Sequence, residues 1–354
     1  MQITRAEVIP IQLKLRQAVQ FALNPAIDQV TAIFIRIETR EGRDAWGCAV
    51  AHPDLTGEHP EDVIHACRQC ADLVPDLHPT NVEFSLSKLS PLTTKTPSAL
   101  CAFDLAFHDL LGLASGLPLY RLLGGYRNRI QTSATIPLCP VQESVEWAEM
   151  RAAAGFRMLK IKGGVDPDED VRRIRAIHRA YPKHILRLDP DGAYTVKQAL
   201  DVIRALEGRL EMIEQPTRGD DLEGLRQVTQ HSTIPVLADQ SITGPESAFE
   251  IAAQKAADGI CVKLAPCGGL RCARQMDAIS QAARMSTMVS CVIEPALLIA
   301  AGLSFALSSP NVQFGDLDGH LDLVNDPTLP GFVLEEGWLV ATDMPGLGCT
   351  IDLG

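Results

Sequence analysis

Five polar groups, each closing a short apolar run, recur along the second half of the chain at nearly constant spacing. They are Lys160-Ile-Lys162 in RMLKIKGG, Asp189 in ILRLDPDG, Glu214 in LEMIEQP, Asp239 in IPVLADQS and Lys263 in GICVKLAP. From Lys162 onward the steps are 27, 25, 25 and 24 residues, and a segment of helix length follows each run. Repeated strand–helix units of this size close most naturally into a parallel barrel, whose C-terminal strand ends converge on one mouth. That mouth gathers three carboxylates flanked by lysines. Crowded carboxylates repel one another unless a cation lies between them. All-oxygen ligation suits a hard divalent ion, Mg2+ first and Mn2+ second. A single Asp or Glu after a strand more often caps the next helix. The weight here lies in the ordered set, and in Lys160 and Lys162 sharing one strand face. Two lysines turned into a barrel need anions or a metal-bound acid beside them.

The chain has 354 residues, room for one large or two medium domains. It carries 32 Lys and Arg against 44 Asp and Glu, a net charge of −12. That balance argues against nucleic acid or an anionic membrane as partner, since both need a basic face. The opening MQITRAEVIPIQLKL alternates like a strand and does not read as a leader peptide. No apolar run approaches the ~20 residues that span a bilayer. Most of the ten cysteines, Cys101, Cys261 and Cys291 among them, sit in apolar context and read as small buried hydrophobes of a reducing cytoplasm. Cys67-Arg-Gln-Cys70 has CxxC spacing but lacks a second pair, so it is not read as a zinc site.

Residues 3–15, 30–38 and 44–50 read as strands. The stretches 59–75, 80–90 and Ser98–Leu113 read as helices. Gly116, Pro118 and Gly124-Gly125 punctuate the end of this α+β block. From about residue 129 the strand–helix alternation runs through seven strands, with NVQFGDLDG as the eighth. The tail is too irregular for another unit and is expected to fold back onto the first domain. The expected organisation is therefore 1–125 as α+β domain, 126–325 as barrel and 326–354 as returning segment.

Taken together, the KxK pair, the three strand-end acids and Lys263 in VKLAPCGGL resemble the enolase superfamily. Gly268-Gly269, LYRLLGG (Leu119–Gly125) and MPGLG (Met344–Gly348) add to the likeness. Within it the chain is most similar to the muconate-lactonizing subgroup and its dipeptide epimerases. The resemblance implies an α+β capping domain on a modified (β/α)7β TIM-type barrel, and Asp189, Glu214 and Asp239 as ligands of Mg2+, with Mn2+ as substitute. It implies a substrate carboxylate on the ion and a base that removes the proton alpha to it. Lys162 and Lys263 are then the acid/base pair on opposite faces of the substrate. Lys160 lies near the substrate carboxylate and depresses the pKa of Lys162. STMVSCVIEP, the seventh strand, lacks the histidine of the mandelate racemase subgroup.

Asp316-Leu317-Asp318 in FGDLDGHLDL resembles the DxD motif with which dipeptide epimerases hold a substrate ammonium. An Asp-Gly turn is the plain alternative. Gln240, Asp191 and Cys48 depart from the subgroup's usual residues. The loop Gln17–Ile27 lacks an arginine, with Arg16 at its edge. An apolar substrate side chain is therefore expected over an anionic one. The expected function is an Mg2+-dependent epimerase or racemase of a dipeptide or N-acyl amino acid, acting in the cytoplasm as a homo-oligomer on a small-molecule substrate. A cycloisomerase or an o-succinylbenzoate-synthase-like lyase uses the same scaffold, and a non-catalytic binding homologue is the alternative from another class.

Overall fold

The computed structural model describes residues 2–354. An antiparallel sheet of β1 (Ile3–Val19), β2 (Ile27–Thr39) and β3 (Asp44–Ala51) opens the chain. β2 lies between its neighbours, with Phe34 opposite Ile9 on one side and Cys48 on the other. Both its faces are buried. Ile33, Ile35 and Ile37 pack with Phe103 and Phe107, while Val30, Ala32 and Phe34 join the core shared with the barrel. That two-sided burial explains the run of apolar residues in this strand.

The helices α1 (Pro53–Thr56), α2 (Pro60–Leu73), α3 (Val82–Leu89), α4 (Pro97–Ser115) and α5 (Leu119–Leu123) follow. α4 lies against β3 because residue 47 is glycine: a Cβ there would sit 1.8 Å from the Ala102 carbonyl oxygen. Gly116, at φ 69°, ends the helix in the left-handed conformation. Among the described residues α4 is the one helix long and apolar enough to cross a membrane, and 78% of that window is buried inside the protein. It is the core helix of the capping domain.

The barrel strands are β5 (Ala134–Ile136), β6 (Met158–Lys162), β7 (Ile185–Asp189), β8 (Met212–Glu214), β9 (Val236–Ala238), β10 (Gly259–Lys263), β11 (Ser286–Ser290) and β12 (Val312–Asp316), in that spatial order. Between them run α6 (Val141–Ala153), α7 (Pro167–Ala180), α8 (Val196–Ala205), α9 (Leu222–His231), α10 (Pro245–Gln254), α11 (Leu264–Cys267), α12 (Leu270–Ala282) and α13 (Ala296–Ser308). Seven strand–helix units and a last strand reproduce the expected architecture. Closure is slender: the Ser133 amide donates to the Gly315 carbonyl at 3.2 Å, beside a Thr132–Gly315 bridge.

The first expected barrel strand, QTSATIPL, is split. Its first residue, Gln131, closes β4 (Arg129–Gln131), which pairs not with the barrel but with β15 (Trp338–Ala341) of the tail. The Thr132 amide donates to Gly337 while the next residue bonds Gly315, so the chain changes partners within one residue. The tail also holds β14 (Phe332–Glu335), antiparallel to β15, and β13 (Thr328–Leu329), paired with β16 (Thr350–Ile351). It reaches the capping domain through Asp109 of α4, which accepts from the Trp46 amide at 2.9 Å and the Leu347 amide at 2.7 Å.

Candidate active site

Every strand that ends at the mouth delivers one or two inward side chains there, because parallel strands in register bring their last residues to one level. Lys162 stands beside Asp189 in the β6–β7 ladder. Lys160 Nζ lies 2.9 Å from Asp189, 2.8 Å from Glu214 and 2.8 Å from Asp316. Lys162 Nζ donates to Asp189 at 2.8 Å and to Asp191 at 2.7 Å, with the Phe21 ring 5.0 Å away. Lys263 Nζ donates to Asp239 at 2.6 Å. β6 and β10 are four strands apart in an eight-stranded barrel, so Lys162 and Lys263 approach from opposite sides.

The acids are set by their own networks. Gln215, at φ 34°, accepts from the Asp239 amide at 2.7 Å and from the Ser241 amide at 3.2 Å. This clamps the segment carrying Asp239. Asp316 accepts from Ser133 Oγ at 2.6 Å and Ser290 Oγ at 2.8 Å, besides Lys160. Asp318 accepts from the Thr135 amide at 2.6 Å.

Burial and charge divide these groups. Burial and then the repulsion of Asp189 and Asp239 push Glu214 up to about 8, even with Lys160 beside it. Burial opposes ionisation of Asp189 too, but two ammonium groups overcome it and hold its carboxyl below the usual range. For Lys162, burial lowers the pKa and Lys160 lowers it further, yet Asp189 and Asp191 outweigh both and raise it. Lys263 is raised likewise by Asp239 and Glu214 against burial. The depression of Lys162 by its neighbour, expected from the sequence, is therefore present but overridden by the protein's own carboxylates. A divalent cation among those carboxylates counters their charge, the condition under which a lysine here can lose its proton near neutrality.

The residues fit such an ion. Glu214 Oε1 and Asp191 Oδ2 are buried without a hydrogen-bond partner. Orphaned acceptors in a crowd of acids are costly unless a cation takes them. Asp189 is turned towards the two lysines. Glu214 and Asp239 instead gather with Cys261 Sγ, one ligand atom from each lying within 4.8 Å of the others.

Above the charges lies a cavity of about 260 Å³, lined by Lys160, Lys162, Lys263, Asp316 and Asp318. The loop 17–27 supplies part of its wall through Val19, Phe21 and Leu23, with Trp147 and Ile293 completing an apolar rim. Arg16 is exposed and is not among the lining residues. Asp322, on the same wall, is bonded to Arg151 at 2.5 Å. Sequence reasoning missed Ser133, Ser290 and Gln215, which hold the acids. Small polar residues carry no periodic signal, and their partners lie up to 183 residues away.

Residues 4–124 match the mandelate racemase/muconate lactonizing enzyme N-terminal domain, and residues 143–354 match the enolase C-terminal domain-like family. The chain belongs to the mandelate racemase/muconate lactonizing enzyme family. Its relatives include an L-Lys-D/L-Arg epimerase of Desulforapulum autotrophicum, 35% identical over 91% of this chain and 92% of that protein. The hydrophobic dipeptide epimerase of Enterococcus faecalis is 32% identical over 95% of each. The crystal structure of the dipeptide epimerase from E. faecalis V583, complexed with Mg and L-Leu-L-Tyr, superposes with a TM-score of 0.95 at 31% identity, covering 99% of this chain and 100% of that one. The Methylococcus capsulatus dipeptide epimerase with Mg and L-Arg-D-Lys gives 0.94 at 31% identity, covering 99% and 100%. Within the family, then, this fold carries epimerases and racemases.

Proposed function

We propose that the protein is an Mg2+-dependent dipeptide epimerase working through two lysines. The observation that carries this reading is the pair of lysines, Lys162 and Lys263, which line one cavity from strands four apart and are bonded to Asp189 and Asp239 of the carboxylate set. Asp189, Glu214 and Asp239 hold the ion. When bound, Mg2+ supplies the positive charge that offsets the negative charge gathering on the substrate carboxylate as its alpha proton leaves. Lys162 takes or returns that proton on one face and Lys263 on the other. Lys160, buried between Asp189, Glu214 and Asp316, adds a fixed positive charge beside the carboxylate.

Asp316 and Asp318 divide the ammonium end between them unequally. Asp316 already receives Lys160, Ser133 and Ser290. Asp318 receives one backbone amide on Oδ2 and only the weak Cys291 thiol donor, at 3.8 Å, on Oδ1, and it lines the cavity, so it carries most of the contact with a free amino terminus. The apolar rim and the absence of an arginine from loop 17–27 support a dipeptide with an uncharged, apolar residue. The reading also locates the enzyme in the cytoplasm, where its ten free cysteines stay reduced, and as a homo-oligomer.

The test is a dipeptide panel in D2O with Mg2+, read by mass spectrometry and chiral chromatography. The expected result is uptake of one deuterium with formation of a second diastereomer, strongest for apolar members. Elimination or ring closure without epimerisation would assign the scaffold to a lyase or cycloisomerase instead. No exchange from any member would overturn the reading.

A further inference from the structure

Beneath the carboxylates the barrel interior is lined with sulfur. Met212, Cys261 and Met288 form a small buried cluster with Leu237 and Phe314. Arg187 turns its guanidinium towards the sulfurs of Met158 at 3.6 Å and Met288 at 3.9 Å. Cys261 stands two residues before Lys263 on β10 and so shares its inward face. Its Sγ, one oxygen of Glu214 and one of Asp239 lie within 4.8 Å of one another, and the three residues are at most 4% exposed. Glu214 Oε1 in this group has no hydrogen-bond partner. A single atom could touch all three after sub-ångström side-chain shifts.

We propose that Glu214, Asp239 and Cys261 form a mixed oxygen–sulfur site for a thiophilic divalent cation such as Zn2+, Co2+ or Cd2+, which competes with Mg2+ for the shared carboxylates. The proposal rests on the reading of those carboxylates as Mg2+ ligands. Mg2+ demands about six oxygens and has no use for a thiol. Zn2+ and its analogues take thiolate and carboxylate together at low coordination number. On binding, the Cys261 S–H bond is replaced by a sulfur–metal bond and the proton leaves to solvent, with no electron transferred. Lys160 and Lys263, now 2.8 Å from Glu214 and 2.6 Å from Asp239, give up those contacts to the ion. A cation drawn down onto Cys261 leaves the level at which a substrate carboxylate is held, so such ions inhibit rather than activate.

Cobalt reports the bond directly. Titrating Co2+ into protein stripped of divalent ions should raise a near-ultraviolet thiolate-to-cobalt charge-transfer band, saturating at one ion per chain and erased by excess Mg2+. Cys261→Ser and Cys261→Ala should both lose the band and weaken Cd2+ competition against Mg2+ at least tenfold, on the order expected for loss of a metal contact. Cys291→Ser, which removes the thiol lining the cavity, should keep the band. A parent protein without the band, or a Cys261→Ser protein that retains it, overturns the proposal. Should both Cys261 variants misfold, Glu214→Gln must still weaken the cobalt band at least tenfold, and an unchanged band overturns the proposal. Protein that binds Mg2+ in equilibrium dialysis but shows no band refutes the mixed site alone. Protein that binds neither ion refutes the underlying assignment of the carboxylates.

Discussion

Asp189 and Asp109 are both buried carboxylates, one at the barrel mouth and one in the capping domain, and they are held in different ways. Asp189 meets two lysine ammonium groups within 2.9 Å. Asp109 meets only backbone amides, those of Trp46 and Leu347. Glu58 is likewise held without an ammonium group, by the amide and hydroxyl of Ser98 at the start of α4. At the mouth, charges crowd so closely that some acceptors stay unpartnered. Asp109 and Glu58, by contrast, each have a settled set of donors and tie chain segments of the capping domain together. Crowding with leftover acceptors marks a place built for a ligand, whereas isolation with full hydrogen bonding marks a joint.

The sharpest way to break this comparison is to remove a lysine from the mouth. Lys263→Ala should lower epimerisation by about 10³-fold or more, since positioned acid–base groups contribute on that scale. Lys162 should still exchange the alpha proton of one stereoisomer, so deuterium uptake becomes one-sided. Epimerisation at the parent rate would end the two-base assignment. The fold should survive, because Lys160 and Lys162 keep Asp189, Glu214 and Asp316 paired and only Asp239 loses its lysine.

Asp109→Ala probes the other region. It strands one buried amide donor, Leu347, and one half-buried one, Trp46, each worth about 1–3 kcal/mol when left unpaired. Unfolding in urea should show a loss of about 3 kcal/mol, and kcat of the folded enzyme should stay near the parent value. A variant that loses kcat at unchanged stability would show that the joint takes part in chemistry.

How much of this was legible in the sequence differs between the same two regions. The barrel rhythm was readable because each strand end repeats one local pattern, and the order of Lys160, Lys162, Asp189, Glu214, Asp239 and Lys263 needed no long-range information. The capping-domain joints were not readable. Glu58 and Ser98 are 40 residues apart, and Asp109 and Leu347 are 238, so nothing local announces them. Cys261 lies between these cases. Its apolar context made it read as plain core, and only barrel closure brings it under Glu214 and Asp239. β4 was read as barrel because pairing partners, not strand propensity, decide where a strand belongs.

Asp318→Asn sharpens the comparison within the mouth itself. If Asp318 receives a substrate ammonium in a desolvated site, its charge contributes about 1.5–3 kcal/mol. Binding of a dipeptide with a free amino terminus should then weaken roughly ten- to a hundredfold, while its N-acetylated counterpart changes little. Equal weakening of both would make Asp318 a joint like Asp109, held by the Thr135 amide and the Cys291 thiol.

The smallest effect expected is a pH slope in stability, and it belongs to Glu58. Burial pushes its carboxyl up to about 7, against the hydrogen bonds from Ser98 that pull it down. A carboxylate whose folded pKa lies above its unfolded value binds more protons in the folded state. Its stabilising share is therefore complete below the ordinary carboxylate range and is lost as pH rises through about 7. One proton's difference amounts to at most ~1.4 kcal/mol per pH unit. Urea unfolding of the parent between the ordinary glutamate range and neutrality should show a falling trend that Glu58→Gln flattens. Asp109, pushed up to about 6 by burial, adds a slope of the same sign, so the difference between parent and variant, not the parent curve alone, isolates Glu58. Parallel curves for the two proteins would mean that Glu58 stays ionised at its joint. The capping domain would then hold a charged acid as tightly as the barrel mouth does, but without a cation beside it.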